Sequence, residues 1–172
     1  TETVQFFERF RAEHHHDLRI NEHLAVNYAT CHLAVEFEEP IDAIQRLHEH
    51  HIKISKLHLS SALKVQPTDE VRQALAAFAD DIYLHQVVAR NGDGHLTRYK
   101  DLDVALNPPA GQQVPPADEW RIHFHIPLHC PATALFGNTT DHLLGVLDLL
   151  QLNPNLCTHL EMETYTWEVM PP

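Results

Sequence analysis

"EWRIHFHIPLH", residues 119–129, is the stretch from which we predict the fold of this chain. Successive side chains of a β-strand point to opposite faces, so the apolar residues at 120, 122, 124 and 126 share one face. Arg121, His123 and His125 share the other face, and His129, beyond Pro127, is expected in the following loop. A strand of an open doubly wound sheet should be apolar on both faces. One apolar and one titratable face is instead typical of a barrel strand.

Three other predicted strands show the same alternation. They are "VNYATCH" (residues 26–32), "KISKLHLSS" (residues 53–61) and "HLEMETYTW" (residues 159–167). Their polar faces carry His32, then Lys56 with His58, then Glu163. Catalytic groups of (β/α) barrels gather at the C-terminal ends of the strands. We therefore expect His32, His58, His125 and Glu163 to converge.

Predicted strands alternate with predicted helices about four times along the chain. Pro40 and Thr68 are suited to begin helices, and either Thr139 or Thr140 to cap another. "NGDG", residues 91–94, indicates a hairpin turn. Alternating strands and helices favour a parallel sheet with crossover helices. We predict one α/β unit over residues 1–172, a (β/α) TIM-barrel type with about four βα units, matching roughly strands five to eight.

This length is short for a barrel. A full (β/α) barrel needs about 250 residues, and the chain has 172. A half-barrel exposes two parallel edges, which is an aggregation liability. We therefore expect the chain to be the C-terminal half of a longer protein, or to close by pairing as a homo-oligomer or with a missing N-terminal half-barrel.

Composition excludes several classes of partner. The net charge is -12, which argues against a nucleic-acid or anionic-membrane partner, because both need clustered Lys and Arg. The hydrophobic content of 44% is enough for a core, and no apolar run approaches 18 residues. The three cysteines, Cys31, Cys130 and Cys157, are scattered, and we interpret them as reduced thiols of a cytoplasmic protein without a zinc site.

Many of the 16 histidines have a simpler interpretation. His14, His15 and His16 lie in a polar stretch and are expected to be solvated. The group at 48, 50 and 51 suits a helix C-terminus, where a cation is favourable. We expect His95, His142 and His159 at the surface.

Several motifs together resemble a known superfamily. "YATCH" (28–32), "KLHLS" (56–60) and "LEMET" (160–164) resemble strand ends of xylose-isomerase-like TIM barrels, the sugar phosphate isomerase/epimerase superfamily. Five segments in order resemble more closely the EboE family of metabolite traffic proteins, from about residue 22 onward. They are "CHLAVEFEEPIDAI", "KLHLSSAL", "YLHQVVAR", "WRIHFHIPL" and "HLEMETYTW".

The resemblance implies roles for particular residues. His58 and Glu163 would be metal ligands, His32 would contact substrate or a second metal, and His85 lies in a family motif. The sequence departs from the family at Ala29, where the family has a metal-ligand Asp. Alanine cannot coordinate a metal. Either His125 or another group compensates for it, or the site binds without catalysing.

Three functions remain to be compared. The first is isomerisation or epimerisation of a sugar or sugar phosphate, assisted by a divalent metal (Mn, Zn or Mg) bound by His58, His125 and Glu163. Glu163 would act as base and His32 would orient substrate, while His32, His85, His123, Arg121 and Lys56 would bind it. The second is binding or trafficking of a small metabolite without turnover, which Ala29 favours. The third, endonuclease chemistry, is opposed by the charge of -12.

Overall fold

The computed structural model describes residues 2–79, 83–109 and 115–163, which form two β-sheets with helices packed around them. The helices are α1 (Glu2–Glu13), α2 (Arg19–His23), α3 (Thr30–Val35), α4 (Pro40–Glu49), α5 (Asp69–Leu75), α6 (Leu102–Leu106) and α7 (Thr140–Leu152). The strands are β1 (Val26–Ala29), β2 (Ile54–Leu59), β3 (Ser61–Val65), β4 (Val87–Arg90), β5 (Leu96–Tyr99), β6 (Glu119–Ile126), β7 (Gly137–Asn138) and β8 (Leu160–Met162). A 3₁₀ turn over Ala76–Phe78 follows α5.

The first sheet is parallel and has the strand order β1-β2-β8. Its register places Ala29 opposite His58, and His58 opposite Glu161. Helices α4 and α7 pack against each other and cover this sheet. The core between them contains Tyr28, Leu57 and Val146, all buried.

The second sheet is antiparallel and has the strand order β5-β4-β6-β3-β7. Strands β2 and β3 are separated only by Ser60, so one nearly continuous segment passes from the parallel sheet into the antiparallel one. Strand β6 lies in the middle of the second sheet, between β4 and β3. Its apolar face joins the largest core, which contains Trp120, Ile122 and Phe124.

The predicted TIM-barrel type with four βα units is wrong. Only three strands of the described residues are parallel, and β6 pairs antiparallel with both of its neighbours. The alternation in residues 119–129 is correct, because the apolar face packs in a core. However, that alternation follows from the pleat of any strand and does not encode the direction of the neighbouring strands.

The end of the strand predicted over residues 26–32 is wrong, because Thr30 begins helix α3. The Thr30 hydroxyl donates to the Ser60 carbonyl at 2.6 Å and accepts from the Ser60 N–H at 2.8 Å. This pair holds the backbone at the end of β1 against the bend between β2 and β3. The preference of the β-branched Thr30 for strands is outweighed by this tertiary contact. His32 therefore reaches the site from a helix and not by strand parity.

Local signals predicted several elements correctly. Pro40 is the first residue of α4, and Thr68 caps α5 by accepting from the Val71 N–H. The "NGDG" turn joins β4 to β5 as an antiparallel hairpin.

The expectation that His142 lies at the surface is wrong. His142 is buried, with its Nε2 3.2 Å from the Tyr28 hydroxyl. Of the last predicted strand, residues 160–162 form β8, while positions 165 and 167 lie outside the described residues.

Helix length bears on the membrane question. Within residues 2–79, 83–109 and 115–163, no helix combines the length and apolar character needed to cross a bilayer.

Candidate functional site

The titratable face of β6 is covered by α3, and the two elements bring a thiol beside two imidazoles. Cys31 on α3 is completely buried, and its Sγ donates to the Phe124 carbonyl of β6 at 3.4 Å. The Cys31 N–H donates to the Ser60 hydroxyl at 3.2 Å. Cys31 is therefore fixed from both its side chain and its backbone.

His123 and His125 face each other along the same side of β6. Their Nε2 atoms lie 2.9 Å apart, so one ring donates to the other. His125 is buried, while His123 is half-buried. The exposed His32 completes the group, with its ring centroid 4.2 Å from that of His123. The site thus has a buried floor and a solvent-accessible mouth.

Glu163, just beyond β8, brings a carboxylate to this group. Its Oε2 lies 3.2 Å from His58 Nδ1 and 3.6 Å from His125 Nδ1. The Asn27 amide nitrogen lies 3.1 Å from the same His58 nitrogen. The parallel and antiparallel sheets therefore meet at Glu163, because His58 belongs to β2 and His125 to β6.

Burial keeps the imidazoles of the floor neutral. Desolvation lowers the pKa of His123 to about 3, helped by the neighbouring His32 and His125. Desolvation also lowers the pKa of His125, while the Glu163 carboxylate acts in the opposite direction. Burial raises the pKa of the Cys31 thiol. At neutral pH the two imidazoles are therefore uncharged, which is the form that binds metals.

One group of side chains could hold a metal ion among the residues that the structure describes. It consists of Cys31, His123 and His125, whose donor atoms all lie within 4.8 Å of one another. Thiolate sulfur and imidazole nitrogen are donors that zinc accepts. Of the predicted ligands His58, His125 and Glu163, only His125 belongs to this group. The Glu163 carboxylate lies near both His58 and His125.

Three residues predicted to bind substrate are engaged in other contacts. Lys56 forms an ion pair with Glu161 at 2.9 Å, and the same Glu161 oxygen lies 3.5 Å from His58 Nε2. Arg121 is buried and donates to the Ala34 carbonyl at 2.7 Å. Its guanidinium carbon lies 4.0 Å from the centroid of the Phe37 ring.

The third is His85. It is buried, and its ring stacks on that of Phe124 with the two ring centroids 4.1 Å apart. Phe124 belongs to the core on the apolar side of β6. Its backbone N–H donates to Asp101 Oδ1 at 3.0 Å.

Ala29 lies directly opposite His58 in the parallel register. A carboxylate at this position would lie beside His58 on the neighbouring strand. In its place, Asn27 from the same strand contacts His58.

Cys31 is the residue that sequence reasoning missed. The sequence predicts reduced thiols without a zinc site, because the three cysteines are scattered. The structure brings Cys31 beside His123, which lies 92 positions later in the sequence. The local signal is the adjacency of Cys31 and His32, since two potential ligands in succession can both reach a site at the start of a helix.

Comparison with protein-family models, with curated proteins and with solved structures finds no match. The function is therefore argued from the geometry of the site.

Proposed function

We propose that this protein is a divalent-metal-dependent enzyme that moves a proton beside the carbonyl group of a sugar or sugar phosphate, causing isomerisation or epimerisation. The observation that carries the proposal is the Glu163 carboxylate, whose buried Oε2 lies within 3.6 Å of two imidazole nitrogens while the side chain as a whole is 32% exposed. A carboxylate within reach of a substrate is a suitable general base.

The reaction moves only protons. Glu163 removes a proton from the carbon next to the carbonyl, and the electrons of that C–H bond form a carbon–carbon double bond as the carbonyl oxygen takes up charge. Return of the proton to the former carbonyl carbon, together with transfer of the neighbouring hydroxyl proton to the former carbonyl oxygen, gives the isomer. Return to the original carbon on the opposite face gives the epimer. The proton is conserved, and no oxidant or second substrate is required.

The surrounding residues suit the remaining tasks. When bound, a divalent cation would polarise the substrate carbonyl and stabilise charge on its oxygen. Imidazole and carboxylate donors of His58, His125 and Glu163 suit Mn, Zn or Mg to different degrees. His32 is exposed at the mouth and can hydrogen-bond a substrate hydroxyl.

A second candidate is a protein that binds a small metabolite without turnover. Ala29 favours it, because no carboxylate stands opposite His58 in the β1–β2 register. Both candidates bind a similar molecule, so the deciding experiment must detect proton movement separately from binding.

The test follows hydrogen exchange in deuterated water by NMR over a panel of aldoses, ketoses and their phosphates, with Mn²⁺, Zn²⁺ or Mg²⁺ added. We expect exchange at the carbon beside the carbonyl, at least 100-fold slower in Glu163→Gln, a rough figure for loss of a general base. Glu13→Gln is the control, since the Glu13 carboxylate is exposed on α1 and pairs with Arg9 at 4.0 Å. Binding without exchange in the unchanged protein would favour the second candidate and contradict the enzyme.

A further inference from the structure

We infer that Cys31, His123 and His125 form a thiolate-containing transition-metal site that takes zinc in preference to Mg or Mn. It differs from the predicted ligand set and leaves the Glu163 carboxylate available for proton transfer. The inference rests on the proposed function only for the part the metal plays in the reaction. Binding itself is a property of these three residues.

The distances suit one tetrahedral ion. Bond lengths of about 2.3 Å to sulfur and about 2.0–2.1 Å to nitrogen place ligand atoms roughly 3.3–3.7 Å apart. The three donor atoms lie within 4.8 Å of one another, and the two imidazole Nε2 atoms are 2.9 Å apart. On this estimate, binding requires those two nitrogens to separate by about 0.4 Å and any sulfur–nitrogen distance to shorten by at most about 1.1 Å.

The ligands are held by rigid elements. His123 and His125 lie on β6, the middle strand of the antiparallel sheet. Cys31 is held by its own N–H to the Ser60 hydroxyl and by its neighbour Thr30, whose hydroxyl both donates to and accepts from the Ser60 backbone. A site whose ligands are fixed before binding loses little freedom when the ion arrives.

The donor set determines which metals are bound. Thiolate and imidazole ligands select zinc and similar ions over Mg²⁺, which prefers oxygen donors. Three protein ligands leave a fourth tetrahedral position for water or substrate, as in catalytic zinc sites. The ring of the exposed His32 lies 4.2 Å from that of His123, on the accessible side of the group.

His125 connects this site to the proposed base. Its Nε2 faces His123, while its Nδ1 lies 3.6 Å from the Glu163 carboxylate. A carboxylate beside the second nitrogen of a metal-bound histidine orients the ring and increases its basicity. The same arrangement puts the His125 ring between the Glu163 carboxylate and the bound ion, so Glu163 is not a ligand.

The experiment titrates metal-free protein with Co²⁺ and records the thiolate-to-cobalt charge-transfer absorption in the near ultraviolet. We expect the band to saturate at about one equivalent and to disappear when Zn²⁺ is added, as expected for a tetrahedral N/S site. Cys31→Ser should abolish the band and weaken zinc binding roughly 100-fold or more, beyond the 10–100-fold of losing an outer-shell partner. Circular dichroism establishes that the variant is folded.

The controls separate this site from other binding. Cys157→Ser replaces another buried thiol, which donates to the His159 carbonyl, and should leave the band unchanged. His123→Ala, at a half-buried position, is a second test that can be used if Cys31→Ser does not fold. It should also lose the band. Glu163→Gln should keep the band while losing proton exchange, so failure of the reaction and failure of the site are distinguishable. A wild-type protein without the band, or a band that survives Cys31→Ser, overturns the inference.

Discussion

Thr30 and Ser60 are joined through a single hydroxyl that bonds to the backbone in both directions. Thr30 Oγ1 donates to the Ser60 carbonyl at 2.6 Å and accepts from the Ser60 N–H at 2.8 Å. Both residues are buried. The contact fixes the bend between β2 and β3 against the start of α3, and so it places Cys31 and His32 over β6.

Replacing Thr30 with valine should destabilise the protein. The substitution keeps the shape of the side chain but leaves a buried N–H and a buried carbonyl of Ser60 without this partner. An unsatisfied buried group costs about 1–3 kcal/mol, so we expect a loss of about 2–4 kcal/mol in the free energy of unfolding. Urea unfolding measures it. Thr30→Ser, which keeps the hydroxyl, should lose less than half as much, and equal losses would contradict this role of the hydroxyl.

Arg121 should matter for stability more than for substrate binding. Its guanidinium donates to the Ala34 carbonyl and to Glu119, each at 2.7 Å, and covers the Phe37 ring. Lysine cannot make all of these contacts, so we expect Arg121→Lys to lose roughly 2 kcal/mol of unfolding free energy. Arg98→Lys is the control, because Arg98 is exposed and pairs with Glu36 at 2.7 Å. A loss of substrate affinity in Arg121→Lys at unchanged stability would instead support a binding role.

Acid should destabilise the fold through His142. Burial lowers the pKa of His142 to about 4 from an ordinary value of 6.5, with Arg121 acting in the same direction and Asp141 and the Glu38 backbone opposing. Between these values the unfolded chain binds a proton that the folded chain does not. Stability should therefore fall as the pH falls from about 6.5 to about 4, by an amount on the order of 3 kcal/mol, and be insensitive to this group above that window.

The comparison with His142→Gln isolates that contribution. Other histidines whose pKa is lowered by desolvation, such as His123, are present in both proteins, so their effect cancels in the difference. Urea unfolding at pH 7 and at pH 4.5 should show a smaller acid-dependent loss for the variant. An equal loss of unfolding free energy between pH 7 and pH 4.5 in the two proteins would contradict a contribution of His142 to the pH dependence.

Short-range signals predicted much of the secondary structure and little of the strand pairing. Pro40 and Thr68 begin helices as predicted, because a fixed φ and a capping hydroxyl act within one turn. The hairpin at residues 91–94 also forms, and Gly94 has a φ of 79°, which suits glycine. The direction of β6 relative to β3 depends on a contact between residues about 60 positions apart. The alternation of apolar and polar side chains along one strand carries no information about that direction.

The same distinction explains what was found and missed at the site. Parity alone placed His123 and His125 on one face, because both lie in β6. Cys31 was missed, because its position follows from α3, and α3 depends on the bond between Thr30 and Ser60. A residue held by a tertiary contact cannot be assigned to a site from its neighbours in sequence.

Zinc should stabilise the folded protein through Cys31. A ligand that binds only the folded state at 100 times its Kd adds about 2.7 kcal/mol to the free energy of unfolding. For a chain of 172 residues this corresponds to a rise in Tm of roughly 5–10 °C. Thermal melts with excess Zn²⁺ and after chelation measure the difference. It should vanish in Cys31→Ser and persist in Cys157→Ser, whereas stabilisation retained in Cys31→Ser would place the ion on other ligands.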